Sequence, residues 1–223
     1  MAMNAVYRGP QDCPAVLPVF PLPGALLLPR GQMPLNIFEP RYLSMVDDAL
    51  KGDRLIGMIQ PDPDHADSTT VPKLYRVGCA GRITQFAETG DGRYLITLIG
   101  VGRFQVAQEL PTTTFYRQCR VDFSVFDADF TARAGEDAVD RAGVIRALRD
   151  FVEAADVRVD WQGIEEAPNE ALVNALSMMS PFGSREKQAL LEAKDLKSRA
   201  EVLIALTEIE LARSGNGSDT TLQ

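Results

Sequence analysis

Prolines at the start of the chain limit what this region can fold into. Five of them fall within residues 16–38, at Pro18, Pro21, Pro23, Pro29 and Pro34. Proline has no backbone N–H and its ring clashes with the preceding helical turn, so this segment cannot form a helix. Proline also confines strands to short or edge segments. The segment therefore predicts two or three short strands joined by tight turns.

A short helix and a buried strand are predicted next. Glu39 can cap a helix whose first residue is Pro40, where a missing N–H costs nothing. Apolar residues, beginning with Tyr42, then recur at helical spacing until Gly52, a residue typical of helix C-termini. The apolar run at 54–60 is short enough to be a buried strand.

The middle of the chain carries β-strand patterns. Residues 74–110 form the clearest β region, in which Tyr94, Ile96 and Leu98 alternate with Leu95, Thr97 and Ile99. Residues 116–126 supply one more alternating strand. Thr89–Gly92 contains two glycines, which tolerate the positive φ angles of hairpin turns, so a hairpin is predicted there. Gly100 and Gly102 resemble the start of a dinucleotide-binding fingerprint, but Gln105 breaks it. These two glycines more simply allow close strand packing or a bend.

Helical patterns replace the β patterns after about residue 127. A helix is predicted over 134–156, and three more are expected to start at the capping residues Asn169, Ser184 and Asp195. Strands followed by helices, rather than alternating with them, predict an α+β fold with segregated layers.

The same patterns divide the chain into four parts. We expect a flexible N-terminus over 1–14, a β-rich unit over 15–126, a helical subdomain over 127–212 and a disordered tail over 213–223.

The formal net charge of -8 is unevenly distributed. Residues 1–126 hold 12 basic and 12 acidic side chains, whereas residues 127–223 hold 11 and 19. Neither half has the positive excess that nucleic-acid backbones attract, so a nucleic-acid partner is not expected. No uninterrupted apolar run approaches the length of a membrane span, so no membrane partner is expected either. The three cysteines form no CxxC pair and fit a reducing cytoplasm.

Catalytic motifs are absent from the sequence. The single histidine, His65, lies in a loop with Asp62, Asp64 and Asp67. This loop lacks the glycine and the distal glutamate of an EF-hand. No glycine is followed by lysine, which excludes a phosphate loop, and GxSxG does not occur. We therefore predict no catalytic residue, no metal site and no cofactor.

The most specific feature is a set of motifs that resembles a known family. The stretch LPVFPLPGALLLPRGQMPLNIFEPRYLSMVDDAL at 17–50 resembles the opening of the N-terminal, substrate-binding domain of Lon proteases. RLIGMI, VGCAGRITQF and the GxGRFxV element at Gly100–Val106 follow in the order of that family. The resemblance extends over about residues 15–210.

The resemblance implies a PUA-like β pseudo-barrel followed by a helical subdomain. In Lon proteases this region captures substrates and aids assembly, while an ATPase and a Ser–Lys protease dyad carry the chemistry. Neither catalytic unit is expected within these 223 residues. The expected function is thus a non-catalytic, cytoplasmic module that binds unfolded or partner proteins. A homo-oligomer and a role as an adaptor in protein quality control are compatible with this expectation.

Two binding modes and four binding residues are predicted. A bound segment could lie in an apolar groove beside the barrel or add to an open strand edge, for which the proline-rich strands are candidates. The candidate residues are Phe38, Arg41, Tyr42 and Arg103. Each part of FEPRY also has a structural explanation: Phe38 in the core, Glu39 and Pro40 at the helix start, and Arg41 either paired with a carboxylate or capping a strand-end carbonyl.

Two other functions remain open from sequence alone. The PUA-like fold is compatible with RNA binding through a local patch that includes Arg76, Arg82, Arg93 and Arg103. A hydrolase would need a nucleophile beside a base, a pair that the sequence does not reveal.

Overall fold

The structure of the chain is a computed structural model that describes residues 5–65, 72–155 and 158–217. The strands in this part are β1 (Val16–Pro21), β2 (Gln32–Ile37), β3 (Leu55–Ile59), β4 (Val77–Glu88), β5 (Tyr94–Leu110) and β6 (Arg117–Asp122). The helices are α1 (Pro40–Lys51), α2 (Arg141–Ala155), α3 (Trp161–Glu166), α4 (Asn169–Met179), α5 (Ser184–Glu192) and α6 (Leu196–Gly217). Short 3₁₀ turns lie at Pro10–Asp12, Pro63–His65, Ser124–Phe130 and Glu136–Ala138.

The strands form one sheet that closes on itself through the long strand β5. The sheet order is β2-β5-β4-β3-β1-β6, and a further β5–β6 pairing closes the barrel. The first half of β5 pairs with β2 and its second half with β6, while β4 pairs along both halves. Register shifts in the β4–β5 and β5–β6 ladders mark bulges, which bend strands and so help close a small barrel.

Gly100 lies where β5 passes closest to the connection between β1 and β2. A Cβ atom on Gly100 would overlap the carbonyl oxygen of Leu28. The predicted close packing at Gly100 is therefore found, but against this connection and not against another strand.

The two proline-rich strands occupy different places in the sheet. β1 pairs in parallel with β3 on one side and antiparallel with β6 on the other, so it is an interior strand. β2 pairs with β5 alone among the described strands and is an edge strand. The edge prediction is thus confirmed for β2 and wrong for β1.

The helical half packs on the barrel and shares a core with it. One hydrophobic cluster joins Leu26, Leu27 and Leu28, which precede β2, to Val173 of α4 and Leu190 of α5. Polar contacts cross the same boundary, since the buried amide of Gln60 donates to the carbonyl of Ser184 at 3.0 Å. Burial of apolar surface across the boundary holds the two halves together.

Helix boundaries were predicted with mixed success. Asp195 caps α6 as expected, because its Oδ1 accepts from the backbone N–H of Ser198 at 2.8 Å. Asn169 and Ser184 are instead the first residues of their helices, after Pro168 and Gly183. The amide of Asn169 is used elsewhere: it donates to the carbonyl of Glu136 and accepts from Arg141.

Two further differences concern the helical half. The helix predicted over 134–156 begins only at Arg141, and Gly135, with φ of 72°, adopts a left-handed conformation before it. The short helix α3 was not predicted; its first turn is capped by Asp160, which accepts from the N–H of Gly163 at 3.2 Å. α6 extends to Gly217, past the predicted start of the tail at 213, and 218–223 lie outside the described residues.

Candidate functional site

The strand topology gathers prolines at one end of the barrel. Because β1 and β3 run in parallel, with Pro21 opposite Ile59, both strands end at the same rim. Pro21 ends β1 and Pro23 lies just after it, and Pro61 lies just after β3. β6 runs antiparallel to β1, with Val19 opposite Arg117, so β6 begins at this rim as well.

A groove of about 430 Å³ lies at this rim. We call it the proline groove, and its lining residues are Pro21, Pro23, Pro61, Pro72, Arg41, Tyr42, Phe115, Tyr116 and Arg117. Its volume falls within the range of ordinary ligand pockets. The prolines and rings give it rigid apolar walls, because proline and aromatic side chains have few rotamers to lose on binding.

Phe115 is the most exposed large apolar side chain of the groove. It is 83% exposed in the connection between β5 and β6. The hydroxyl of Thr114 donates to the carbonyl of Tyr116 at 2.8 Å, and this bond fixes the loop on either side of Phe115. An exposed ring beside apolar walls is surface that a bound partner could remove from water.

Tyr116, the next residue, anchors the loop. Its ring is buried and its hydroxyl donates to Asp48 Oδ2 at 3.0 Å. Burial, and then this bond to a carboxylate, raise the pKa of Tyr116 to about 12. The anchor connects the loop to α1.

Tyr42 forms the inner wall of the groove. It is 6% exposed, and its ring centroid lies 4.1 Å from that of Phe20. Burial raises its pKa. The guanidinium of Arg41 lies 4.6 Å from the centroid of the Tyr42 ring and donates through Nε to Glu39 at 2.9 Å.

Arg117 fastens the opposite side of the groove. Its Nε and Nη2 donate to the two carboxylate oxygens of Glu109, at 2.6 and 2.7 Å. Its Nη1 donates to the carbonyl of Pro72 at 2.8 Å. A forked arginine contact of this kind holds both partners in a defined geometry.

The structure separates the four predicted binding residues. Arg41 and Tyr42 line the proline groove, and the predicted pairing of Arg41 with a carboxylate is confirmed. Phe38 is 61% exposed and does not line the groove, so the expectation that it packs in the core is wrong. It is the residue after edge strand β2, where no described element covers it enough to bury the ring.

Arg103 occupies the boundary between barrel and helices instead of a binding surface. It is 3% exposed, and Nη2 lies 2.8 Å from Asp129 Oδ1. Nη1 donates to the carbonyls of Leu191 and Ala193 at the end of α5. The prediction of Arg103 as a binding residue is therefore wrong: it is a buried residue that connects the barrel to the helices. The reason is that the helical half covers the face of β5 on which Arg103 lies.

Outside the proline-rich segment and FEPRY, five groove residues were not among the predicted binding residues: Pro61, Pro72, Phe115, Tyr116 and Arg117. A signal existed only for Phe115, which is a large apolar residue in a threonine-rich segment between two strands. The others come together only through strand topology.

Three of the four arginines of the RNA-binding alternative have partners within the fold. Arg103 is buried, Arg82 donates to the Tyr7 hydroxyl and the Asp53 carbonyl, and Arg93 pairs with Asp91 at 3.3 Å. These contacts do not favour the predicted patch.

The described residues also contain no group of three His, Cys, Asp or Glu side chains placed to hold a metal ion. Asp64 pairs with Arg185, whereas Asp67 lies outside the described residues. No helix in the described ranges is long and apolar enough to cross a membrane.

A second cavity, of about 420 Å³, lies between the connection preceding β2 and helix α4. Ala171, Ala175, Met178 and Met179 form its helical wall, and Met179 is 81% exposed. We prefer the proline groove because it combines rigid rings with two of the residues predicted from sequence. Methionine walls are flexible and specify a ligand less well.

Comparisons with known proteins agree on one family. A family model described as the ATP-dependent protease La (LON) substrate-binding domain matches residues 16–208. Lon protease 2 of Myxococcus xanthus is 27% identical over 221 residues, which cover 96% of this chain and 26% of that protein. The Lon protease of Dictyoglomus thermophilum is 28% identical, covering 92% and 26%. The chain thus spans about a quarter of the length of these relatives.

Solved structures show the same fold. The structural match to the Lon N-terminal domain protein from Xanthomonas campestris covers 85% of this chain and 97% of the Xanthomonas chain, with a TM-score of 0.61 and 22% identity. The N-terminal domain of the Mycobacterium avium complex Lon protease matches 86% and 98%, with a TM-score of 0.63 and 18% identity. The predicted α+β fold of Lon N-terminal type is confirmed. Since the family model covers most of the sequence, the chain belongs to the family of Lon substrate-binding domains.

Proposed function

We propose that this chain is a non-catalytic module that captures unfolded segments of other proteins in the proline groove. The observation that carries the proposal is the 83% exposed ring of Phe115 beside the rigid wall of Tyr42 and four prolines. Membership of the Lon substrate-binding family supports protein segments, rather than small molecules, as ligands.

The physical basis of capture is burial of apolar surface. Covering one large apolar side chain contributes about 1.5–3 kcal/mol. Two such contacts, one from Phe115 and one from the ligand, must offset the ordering of an unfolded segment, so we expect weak binding, in the high-micromolar to millimolar range. Weak and sequence-tolerant binding suits a module that samples many unfolded chains.

The groove is favoured over capture at the β2 edge. Pro34 lies in the middle of this edge strand and has no N–H to donate to an added strand. Proline on an edge strand is a common device against strand addition. The groove is therefore the proposed mode, and capture at the edge is the alternative that Phe115→Ala would favour if it left the affinity unchanged.

The setting that we propose is the cytoplasm, where the module acts as an adaptor in protein quality control. Cys13, Cys79 and Cys119 are free thiols, as expected in a reducing compartment. We propose that it delivers or holds unfolded proteins without changing them.

The experiment is a fluorescence anisotropy titration with a labelled 12-residue unstructured peptide that has a central phenylalanine. Phe115→Ala should weaken binding about tenfold or more, as expected for one buried large side chain. Met179→Ala, in the second cavity, is the matched control and should leave the affinity unchanged. Equal affinity of wild type and Phe115→Ala would exclude the groove. Mass spectrometry of the peptide after incubation, with and without ATP, should show it intact.

A further inference from the structure

A shallow hollow of about 350 Å³ adjoins the proline groove. Phe115 and Tyr116 line both, so Phe115 stands between the two spaces. We call the adjoining space the carboxylate hollow, because its wall on α1 carries Asp47 and Asp48. Its opposite wall is the threonine-rich loop that precedes Phe115.

The carboxylates of the hollow are held in place by tyrosines. Asp47 Oδ1 accepts from the Tyr94 hydroxyl at 3.0 Å, and Asp48 Oδ2 accepts from the Tyr116 hydroxyl at 3.0 Å. Each carboxylate thus has one oxygen fixed by a neutral donor, which orients the group without cancelling its charge. The only cation that lines the hollow among the described residues is Lys51, 3.2 Å from Asp48 Oδ1.

The two spaces therefore differ in charge. In the proline groove, Arg41 is paired with Glu39 and Arg117 with Glu109, so its ionic groups are matched. In the carboxylate hollow, two carboxylates face one ammonium. A positive side chain entering the hollow would complement the unmatched charge, whereas a negative one would be repelled.

We propose that a segment bound in the proline groove continues past Phe115 into the carboxylate hollow, so that the module prefers apolar segments flanked by lysine or arginine. An extended chain advances about 3.3–3.6 Å per residue, so a basic residue two to four positions from the apolar anchor would reach the hollow. This inference rests on the proposed function and adds a charge preference to it.

The test uses three unstructured peptides that share a phenylalanine anchor. Each has two lysines, two glutamines or two glutamates on both sides of the anchor, so that either chain direction presents the same charge to the hollow. We expect the lysine peptide to bind about 3- to 10-fold more tightly than the glutamate peptide in 50 mM salt, as a few exposed ion pairs allow. The ratio should fall below about twofold in 0.5 M salt, because exposed charges are then screened.

A double variant assigns the preference to its residues. Asp47→Asn with Asp48→Asn keeps an oxygen for each tyrosine hydroxyl and removes both charges. It should bring the lysine-to-glutamate ratio close to one, whatever its effect on the affinity of the neutral glutamine peptide. The control, Asp150→Asn with Glu153→Gln on the exposed side of α2, changes the net charge equally and should preserve the ratio.

The outcomes separate the two proposals. If the glutamine peptide binds but the lysine and glutamate peptides do not differ, the charge preference is wrong and the proposed function stands. A ratio that survives in the Asp47/Asp48 variant also overturns the inference. If no peptide binds, including the neutral one, the proposed function fails and the charge preference fails with it.

Discussion

Arg103 of β5 and Asp129 form a forked ion pair at the boundary between the barrel and the helices. Nε and Nη2 of Arg103 each donate to a different carboxylate oxygen of Asp129, at 2.8 Å. Both side chains are almost fully buried, at 3% and 8% exposed. The backbone N–H of Arg103 donates to the same carboxylate at 2.9 Å, and Nη1 reaches the end of α5. One side chain thus connects three parts of the fold.

We expect this pair to make a large contribution to keeping the native structure intact. Asp129→Asn leaves the guanidinium buried without its counter-charge, and breaking a buried pair from one side typically costs about 3–5 kcal/mol. Urea unfolding followed by circular dichroism measures the loss. Asp91→Asn, which removes an exposed partner of Arg93, is the control and should cost less than about 1 kcal/mol. A loss below 1 kcal/mol for Asp129→Asn would show that the boundary does not depend on this pair.

The barrel was predictable where local patterns and backbone chemistry agree. Pro40 and Gly52 mark the two ends of α1, and the glycines at 90 and 92 adopt the positive φ angles that the hairpin requires. α3 was missed because a six-residue helix is too short to establish a periodic apolar pattern. The role of Asn169 was misassigned because its hydrogen bonds to Glu136 and Arg141 connect segments far apart in sequence.

The candidate site was only partly predictable for the same reason. Arg41 and Tyr42 were found because they belong to a compact motif, FEPRY. Pro61, Pro72 and Phe115 meet them only because β1 and β3 run in parallel and β6 returns to the same rim. Arg103 has the sequence context of an exposed strand arginine, and only the packing of the helical half shows that it is buried.

Gly100 provides a test of the close approach in the barrel. Gly100→Ala places a methyl group against the carbonyl of Leu28, a backbone atom that cannot rotate away. We expect a loss of about 1–3 kcal/mol, the usual cost of overpacking, measured by urea unfolding. Gly183→Ala is the comparison, because its Cβ would meet only the flexible end of Glu186, and it should cost less than about 1 kcal/mol. Equal losses would contradict the close-packing role.

Truncating Ile37 to alanine should destabilise the fold more than truncating its larger neighbour Phe38. Ile37 is 2% exposed and Phe38 is 61% exposed. Ile37→Ala removes buried methyl groups and leaves a cavity, so we expect a loss of about 2–5 kcal/mol. Phe38→Ala should change the unfolding free energy by less than about 0.5 kcal/mol, as is usual at the surface. Thermal and urea unfolding of both variants checks this, and a large loss for Phe38→Ala would restore its assignment to the core.

Tyr116 should make the stability of the fold sensitive to alkaline pH. Its pKa is raised to about 12, first by burial and then by the bond to Asp48, whereas an unfolded tyrosine titrates near 10. Above pH 10 the unfolded state therefore loses this proton while the folded state keeps it, which favours unfolding. Stability due to this group is fully present below pH 10 and is lost as pH rises from 10 towards 12.

Urea unfolding between pH 8 and 11.5 measures this dependence. Tyr116→Phe removes the titrating group, so the decline in stability above pH 10 should be shallower in the variant. At pH 8 the variant should be less stable than wild type by about 0.5–1.5 kcal/mol, because it lacks the hydrogen bond to Asp48. Tyr75→Phe is the control, because no described contact joins the Tyr75 hydroxyl to a carboxylate. This variant should keep most of the decline in stability above pH 10. Parallel curves for wild type and Tyr116→Phe would show that the Tyr116–Asp48 anchor does not control the alkaline limit, and the loop that presents Phe115 would then have to be held by Thr114.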